Sequence, residues 1–194
     1  GITIRKYVQG ELDKENGYQS YLSNTTPGGM VNFKIILQNT GSTPVSKIRL
    51  ADLLPQPGED NKKEERESKW QPIPQSYDVF KISKDGNKTP LNPKIYTATG
   101  AFNQSLRGDS ATFDGAWVKD GRFSEETTAI GLDFGGETLK EGEYISLELK
   151  MKAPTSGDFG GKFASNNANV YYNSAGKTNE LLISNTVHTI YHTK

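Results

Sequence analysis

Short stretches in which apolar and polar residues alternate constrain the fold of this chain more than any other feature. A period of two is typical of β-strands, because successive side chains point to opposite faces of a sheet. Turn-forming pairs such as Asp85-Gly86 and Gly135-Gly136 separate these stretches. The predicted strands are 2–8, 30–38, 45–54, 77–82, 129–134, 144–151, 163–172 and 181–191. The pattern predicts an all-β chain folded as a two-sheet β-sandwich.

Two regions depart from the alternation. Residues 59–69 (EDNKKEERESK) are a charged run without an apolar stripe, which predicts a solvated loop or at most a short surface helix. Residues 56–76 and 84–125 are rich in proline, glycine and asparagine and indicate long loops or insertions. We therefore expect one domain over residues 1–194, with its long loops or insertions at about 56–125.

The composition excludes several classes of function. The chain has no cysteine, so it has no zinc ribbon, thiol nucleophile or disulfide framework. Basic and acidic residues number 23 each, so no net charge would recruit nucleic acid or an anionic membrane. No apolar run approaches membrane-spanning length and no signal peptide opens the chain. We expect a segment of a longer protein that makes no membrane contact itself.

Three polar residues fall on the apolar faces of predicted strands. Each alternates with apolar residues: Lys6 with Ile2, Ile4 and Val8; Asp52 with Ile48 and Leu50; Asn185 with Ile183 and Val187. Burying a lone ammonium or carboxylate costs several kcal/mol, so buried groups of this kind need partners. One interpretation is a buried hydrogen-bonded network of the three side chains, and the other is a chemical reaction between them.

A dry pocket would favour the reaction. Desolvation disfavours the charged forms of both an amine and a carboxyl group, so Lys6 would become a neutral nucleophile and Asp52 would keep a proton. Lys6 Nζ would attack Asn185 Cγ while Asp52 transfers protons and ammonia leaves. The product is an amide cross-link made once per molecule without a cofactor, so we predict no enzyme with turnover.

Several segments resemble the modules of Gram-positive cell-wall adhesins and pilins. They are ITIRKYVQGE, GGMVNFKIILQNTGSTPVSKIRLADLLP, ETLKEGEYISLELKMKAP, NANVYYNS and SNTV. The resemblance is to the Asp-type isopeptide domains of collagen-binding adhesins, pilin subunits and the C-terminal region of streptococcal antigen I/II proteins. In that family a lysine on the first strand bonds an asparagine on the last, assisted by an aspartate. The matching positions here are Lys6, Asn185 and Asp52.

The resemblance covers both ends of the chain, and the middle region at roughly 56–125 matches no family that we can name. Asn167 and Asn169 are alternative asparagines. Asp133 and Glu148 are alternative carboxylates, although both alternate with apolar neighbours and would face outward.

The resemblance also implies a location and a role. It implies an immunoglobulin-like fold on the cell-wall-anchored, extracellular surface of a Gram-positive bacterium. The expected role is structural or adhesive, with neighbouring domains of the same surface protein as partners, together with a host matrix protein, cell-surface receptor or glycan. The alternative is a carbohydrate- or host-protein-binding β-sandwich without a cross-link.

Other candidate sites are weaker. Arg107, Gly108 and Asp109, followed by Ser110, match an integrin-recognition tripeptide in a predicted loop, and are otherwise a glycine-centred turn. The aromatic residues of the middle region would bind sugars or proteins if exposed and form a core if buried. They are Trp70, Tyr77, Tyr96, Phe113 and Trp117.

A metal site is not expected. His188 and His192 would lie about 13 Å apart on a strand, which is too far for one ion. The acidic residues of the charged run lack the alternating spacing of a calcium loop, so calcium is at most a weak candidate there. These residues are Glu59, Asp60, Glu64 and Glu65.

Overall fold

The computed structural model of the chain describes residues 1–107 and 112–193. As the alternation predicted, nearly all of its regular structure is β-strand. The strands are Ile2–Gly10 (β1), Leu22–Thr25 (β2), Val31–Asn39 (β3), Val45–Leu53 (β4), Ile73–Ile82 (β5), Lys88–Pro90 (β6), Lys94–Thr99 (β7), Val118–Lys119 (β8), Thr127–Asp133 (β9), Tyr144–Lys152 (β10), Phe163–Asn166 (β11), Asn169–Ser174 (β12), Lys177–Ile183 (β13) and Val187–Tyr191 (β14). Short 3₁₀ helices span Glu11–Asn16, Lys62–Glu64 and Gln104–Leu106. Within the two described ranges, no helix is long and apolar enough to cross a membrane.

The strands of the described ranges form three sheets. The first has five strands in the order β1-β3-β10-β5-β6, and the second has six in the order β13-β12-β4-β9-β7-β8. A third, smaller sheet has the order β11-β14-β2. Apolar residues of the five- and six-stranded sheets belong to one continuous core, so these sheets face each other as a β-sandwich.

The alternation of each core strand explains which face it buries. In β3 every second residue, from Val31 through Phe33 and Ile35 to Leu37, is buried in the core. Leu50 of β4 and Leu132 of β9 belong to the same core from the opposite sheet. Burying one such side chain contributes about 1.5–3 kcal/mol, so the two apolar faces hold the sheets together.

The region predicted as long loops contains strands that belong to both large sheets. Within 84–125, β7 pairs with β9 and β8 pairs with β7, so this segment extends the six-stranded sheet. A second, smaller apolar cluster lies beside it. Its buried members are Ala51, Leu53, Ala98, Leu106, Trp117 and Ala129. A side chain at Gly131 would collide with the Phe113 ring, so a glycine is needed where this cluster meets β9.

The charged run is not fully solvated, which corrects the prediction for residues 59–69. Glu59, Arg66 and Ser68 are buried, while much of the rest of the run is exposed. Arg66 and Glu59 form an ion pair, and Ser68 donates a hydrogen bond to Glu59. Because these polar side chains satisfy one another's hydrogen-bonding groups, they can be buried without contact with water. The composition of the run alone does not show this pairing.

The predicted last strand, 181–191, is two strands. β13 ends at Ile183 in the six-stranded sheet, and β14 begins at Val187 in the three-stranded sheet. Because the chain changes sheets between them, the period-two rule fails across residues 184–186. Ser184 and Thr186 are buried there, whereas Asn185 is only half-buried.

Candidate cross-link site

Three buried polar side chains, one from each sheet, meet in the interior. Lys6 lies in β1, Asp52 lies in β4 and Asn166 is the last residue of β11. Each is 0% exposed. Their cross-strand neighbours are all β-branched and apolar: Ile35 opposite Lys6, Ile130 opposite Asp52 and Val187 opposite Asn166. The strand pairing therefore holds three buried polar groups, each beside an apolar cross-strand neighbour.

One carboxyl group contacts both of the other functional groups. Lys6 Nζ contacts Asp52 Oδ2 and Asn166 Oδ1. The amide nitrogen of Asn166 donates to Asp52 Oδ1 at 2.9 Å and to the Leu53 carbonyl at 2.9 Å. The Asn167 carbonyl lies 3.5 Å from Lys6 Nζ. Asp52 can therefore exchange protons with the amine on one side and with the amide nitrogen on the other.

Burial makes the uncharged form of Lys6 easier to reach than that of an exposed lysine. Burial lowers the pKa of Lys6 from 10.5 to about 8, while the neighbouring Asp52 carboxylate opposes this shift. The centroid of the Phe33 ring lies 4.8 Å from Nζ, a cation–π contact that favours the ammonium form and so also opposes the shift. A lysine with this pKa is neutral in a useful fraction of molecules near neutral pH, which is the form that acts as a nucleophile.

Asn185, the asparagine predicted from the sequence, has a different role in the structure. Its Oδ1 accepts from the Lys6 backbone N–H at 2.8 Å, and its Nδ2 donates to the Lys6 carbonyl at 2.9 Å and to the Ser20 carbonyl at 2.8 Å. The side chain therefore pairs with the β1 backbone like a short piece of strand. The prediction that Asn185 meets Lys6 Nζ is corrected to Asn166.

The sequence carried a signal for Asn166 that the strand assignment passed over. Asn166 alternates with Ala164, Ala168 and Val170, which is the same parity that singled out Lys6 and Asp52. The alternative asparagines occupy other places. Asn167 binds arginines through its side chain, and Asn169 lies in β12 beyond the end of β11.

Arg107 is buried and does not present its charge to solvent. Its guanidinium pairs with Glu64 at 2.5 Å and donates to Asn167 Oδ1 at 3.0 Å. Arg107, the first residue of the candidate integrin-recognition tripeptide, is therefore held inside the protein by Glu64 and Asn167. Gly108, Asp109 and Ser110 lie outside the described residues.

The tryptophans that were candidates for ligand binding are core residues. Trp70 is 0% exposed and donates to the Lys162 carbonyl at 2.9 Å. Trp117 is 8% exposed and donates to the Leu106 carbonyl at 3.0 Å. Their rings cannot serve as a sugar platform, so the alternative interpretation, a buried core, holds for both.

The remaining candidates show no metal geometry. Glu59 and Glu64 are paired with arginines, and the two histidines make separate contacts, His188 with Ser165 and His192 with Asn24. Among the residues that the structure describes, no three acidic or histidine side chains form a group that could hold a metal ion.

Two exposed aromatic residues that the sequence analysis did not single out flank a surface groove. Tyr21 and Phe163 are 57% and 45% exposed, and both approach the His188 ring edge-on, with centroid distances of 5.1 and 5.9 Å. The groove has a volume of about 520 Å³ and lies between the three-stranded sheet and the charged run. The pairing of β14 with both β11 and β2 brings these residues together from distant parts of the sequence.

Comparison with known proteins identifies the fold. No protein-family profile and no curated protein matches the chain. Among solved structures, the major pilin subunit BcpA of Bacillus cereus matches with a TM-score of 0.53 and 14% identity, over 98% of this chain and 40% of BcpA. The C-terminal domain of the Streptococcus pyogenes antigen I/II-family protein AspA matches with a TM-score of 0.48 and 15% identity, over 97% of this chain and 46% of that one. The full-length major pilin SpaD of Corynebacterium diphtheriae matches with a TM-score of 0.47 and 14% identity, over 97% and 35%.

The chain thus spans less than half the length of each of these proteins. At such low identity the likeness to BcpA establishes the architecture alone, an immunoglobulin-like β-sandwich.

Proposed function

We propose that Lys6 and Asn166 become joined by an autocatalytic isopeptide bond, with Asp52 as the proton carrier. We further propose that this bond stabilises a structural or adhesive module of a bacterial surface protein. The bond would form between Lys6 Nζ and Asn166 Cγ. The bond between Cγ and Nδ2 of Asn166 would break, and Nδ2 would leave as ammonia. No oxidant, metal or cofactor is required.

The steps follow from the contacts of the site. A proton passes from the Lys6 ammonium to Asp52, which leaves a neutral amine and a neutral acid in a site where charges are disfavoured. The amine attacks the Asn166 carbonyl carbon, and the acid gives its proton to the departing amide nitrogen with which it already shares a hydrogen bond. Asp52 then takes up the proton that the former Lys6 nitrogen loses as it becomes the amide nitrogen of the new bond. The observation that carries the proposal is the double contact of Asp52 with Lys6 and Asn166.

A static hydrogen-bonded network is the competing explanation. In that arrangement a buried ammonium and a buried carboxylate would persist in an apolar interior, which costs several kcal/mol of desolvation. The reaction replaces the lysine charge with a neutral amide and releases ammonia to solvent. The apolar neighbours of all three residues favour the reacted state.

Intact mass tests the proposal and separates the two asparagines. The wild-type chain is expected to be about 17 Da lighter than its sequence mass, because one ammonia is lost. Asn166→Ala and Lys6→Met should each restore the full sequence mass of the variant. Asn185→Ala is the matched control and should keep the deficit, since Asn185 contacts only backbone groups around Lys6. A wild-type chain at full mass would refute the cross-link.

The pH dependence of bond formation tests the role of Asp52. In the proposed mechanism the proton that Asp52 delivers comes from the Lys6 ammonium, and Lys6 loses that proton to solvent as the pH rises through about 8, its pKa. The rate should therefore be level just below pH 8 and fall about tenfold per pH unit above it. The measurement starts from chain that has been kept unfolded in urea since its synthesis, so that no bond has yet formed. The chain is refolded at each pH, and samples taken over time are quenched and weighed by mass spectrometry. A rate that rises to a plateau above pH 8 would instead mean that neutral Lys6 suffices without an acid.

The module is proposed to act outside the cell, between neighbouring domains of a Gram-positive surface protein. Three observations support this role: a pilin-type fold, a chain without cysteine, and a candidate bond that closes a long loop. Host matrix proteins, receptors and glycans are the proposed classes of binding partner.

We do not propose that Trp70 and Trp117 bind these partners, because both rings are buried.

A further inference from the structure

A buried ion pair lies directly behind the candidate cross-link. Arg66 and Glu59 are 2% and 3% exposed and contact each other. Replacing a buried ion pair with apolar residues of similar size is often neutral or even stabilising, because desolvation offsets the attraction between the charges. Stability alone therefore does not explain this pair, and its other contacts point to the reaction.

Arg66 binds the residue that follows each of two reacting residues. Its guanidinium donates to the carbonyl of Leu53, which follows Asp52, at 2.7 Å. It also donates to the side chain of Asn167, which follows Asn166, at 2.9 Å. One planar group with several fixed donors thus joins the end of β4 to the end of β11.

The Leu53 carbonyl connects this contact to the chemistry. It accepts from Arg66 and also from Asn166 Nδ2, at 2.9 Å. Asp52 Oδ1 and the Leu53 carbonyl are therefore the two acceptors that hold the Asn166 amide nitrogen. Holding that nitrogen fixes the rotation of the carboxamide and keeps its oxygen on the Lys6 side.

Glu59 holds Arg66 in place and ties the same loop to β11. Its carboxylate contacts Arg66 through one oxygen and Ser68 through the other. The Ser68 hydroxyl in turn accepts from the backbone N–H of Ser165, at 2.9 Å, one residue before Asn166. The charged run is thus anchored on both sides of the reacting asparagine.

We propose that Arg66, held by Glu59, is a positioning residue that aligns Asn166 with Lys6 and Asp52 for cross-linking. This inference rests on the proposed isopeptide bond. Arg66 does not touch Lys6 in the reaction; it acts through the Leu53 carbonyl and the Asn167 side chain. A displacement of reacting groups by about 1 Å can slow a reaction as much as 100-fold. Loss of the Arg66 contacts should therefore appear mainly as a lower rate of bond formation.

The rate of bond formation after refolding from urea tests the proposal. The double substitution Glu59→Leu and Arg66→Met removes both charges and keeps the volume, and we expect cross-linking to slow roughly 10- to 100-fold at pH 7. Arg66→Lys keeps the charge, but a single ammonium cannot span three acceptors, so it should also be slow. Arg5→Met is the matched control, since Arg5 is exposed on the opposite face of β1, and it should react at the wild-type rate.

Two further readouts separate positioning from a loss of fold. In an Asn166→Ala background, where no bond can form, the double substitution should leave the melting temperature nearly unchanged, whereas a structural role would lower it.

The charged groups acting on Lys6 are Asp52, Arg66 and Glu59, and the Arg66 charge lowers the pKa of Lys6. Arg66→Met alone should therefore move the alkaline fall in rate to higher pH.

The outcomes distinguish this inference from the proposed function. A wild-type chain without the mass deficit would remove the cross-link itself. A wild-type chain that forms the bond, together with a double variant that forms it equally fast, would overturn the positioning role alone. Slow bond formation with a preserved melting temperature and a shifted pH profile in Arg66→Met would support it.

Discussion

Pulled from its two ends, the wild-type chain is expected to release only 33 of its 194 residues, because the proposed Lys6–Asn166 bond encloses the other 161, residues 6–166. At up to about 3.6 Å per extended residue, the contour length that unfolding frees is roughly 120 Å. Asn166→Ala opens the loop and should raise that length to roughly 650–700 Å. Single-molecule force spectroscopy on a tandem array of the domain measures both values directly.

The path of the force differs from the one that a bond to Asn185 would give. With Asn166 as the partner, force enters β1, crosses to the end of β11, and then passes through β12, β13 and β14. These three strands should extend in the wild-type chain, whereas a bond to Asn185 would shield β12 and β13. Asn185→Ala is the control and should keep the short extension. A wild-type extension as long as that of Asn166→Ala would contradict the proposed load path.

Loss of the bond should also lower stability by an amount far above the usual effect of one substitution. Closing a loop of 160 residues stabilises by about 5 kcal/mol if the chain-entropy relation for disulfides applies. For a chain of this size that corresponds to a fall in melting temperature of about 10–20 °C for Asn166→Ala. Asn87→Ala, at an exposed asparagine, is the control and should melt like the wild type.

A double-mutant cycle separates the bond from local packing. Lys6→Met and Asn166→Ala each remove the same covalent link, so the double variant should be little less stable than either single variant. The coupling between the two sites should then approach about 5 kcal/mol, several times what a buried hydrogen bond provides. Additive losses, with no coupling, would mean that the two side chains contribute independently and are not joined.

The sandwich could be predicted from the sequence because its core strands obey a simple rule. In β1 and β3 burial alternates without interruption over the core residues, and the face assigned to Lys6 is the one that the structure buries. The rule also placed Asp52 inside, near the end of β4. Local pattern sufficed at these positions because each strand stays within one sheet.

Alternation marked Asn166 and Asn185 alike as inward-facing, so the choice between them, like the burial of the charged run, depended on tertiary contacts. Between Ile183 and Val187 the chain passes from one sheet to another, and a register continued across that break put Asn185 on the wrong face. Arg66 looked solvated because two of its hydrogen-bond acceptors, the Leu53 carbonyl and the Asn167 side chain, lie outside the charged run. Glu59 looked solvated because nothing in the composition of the run shows that it pairs with Arg66 and Ser68. Composition predicts the exposure of unpaired charges and fails where charges are paired inside.

Tryptic peptide mapping of the denatured wild-type chain tests the central claim most directly. A modified Lys6 resists cleavage, so residues 6–14 should appear covalently joined to residues 163–177, with the combined mass lower by about 17 Da. Asn185 falls in a separate peptide, residues 178–194, so the digest distinguishes the two asparagines. Fragmentation of the branched peptide should place the junction at Asn166. Recovery of residues 163–177 as a free linear peptide, or of residues 6–14 joined to 178–194, would contradict the account.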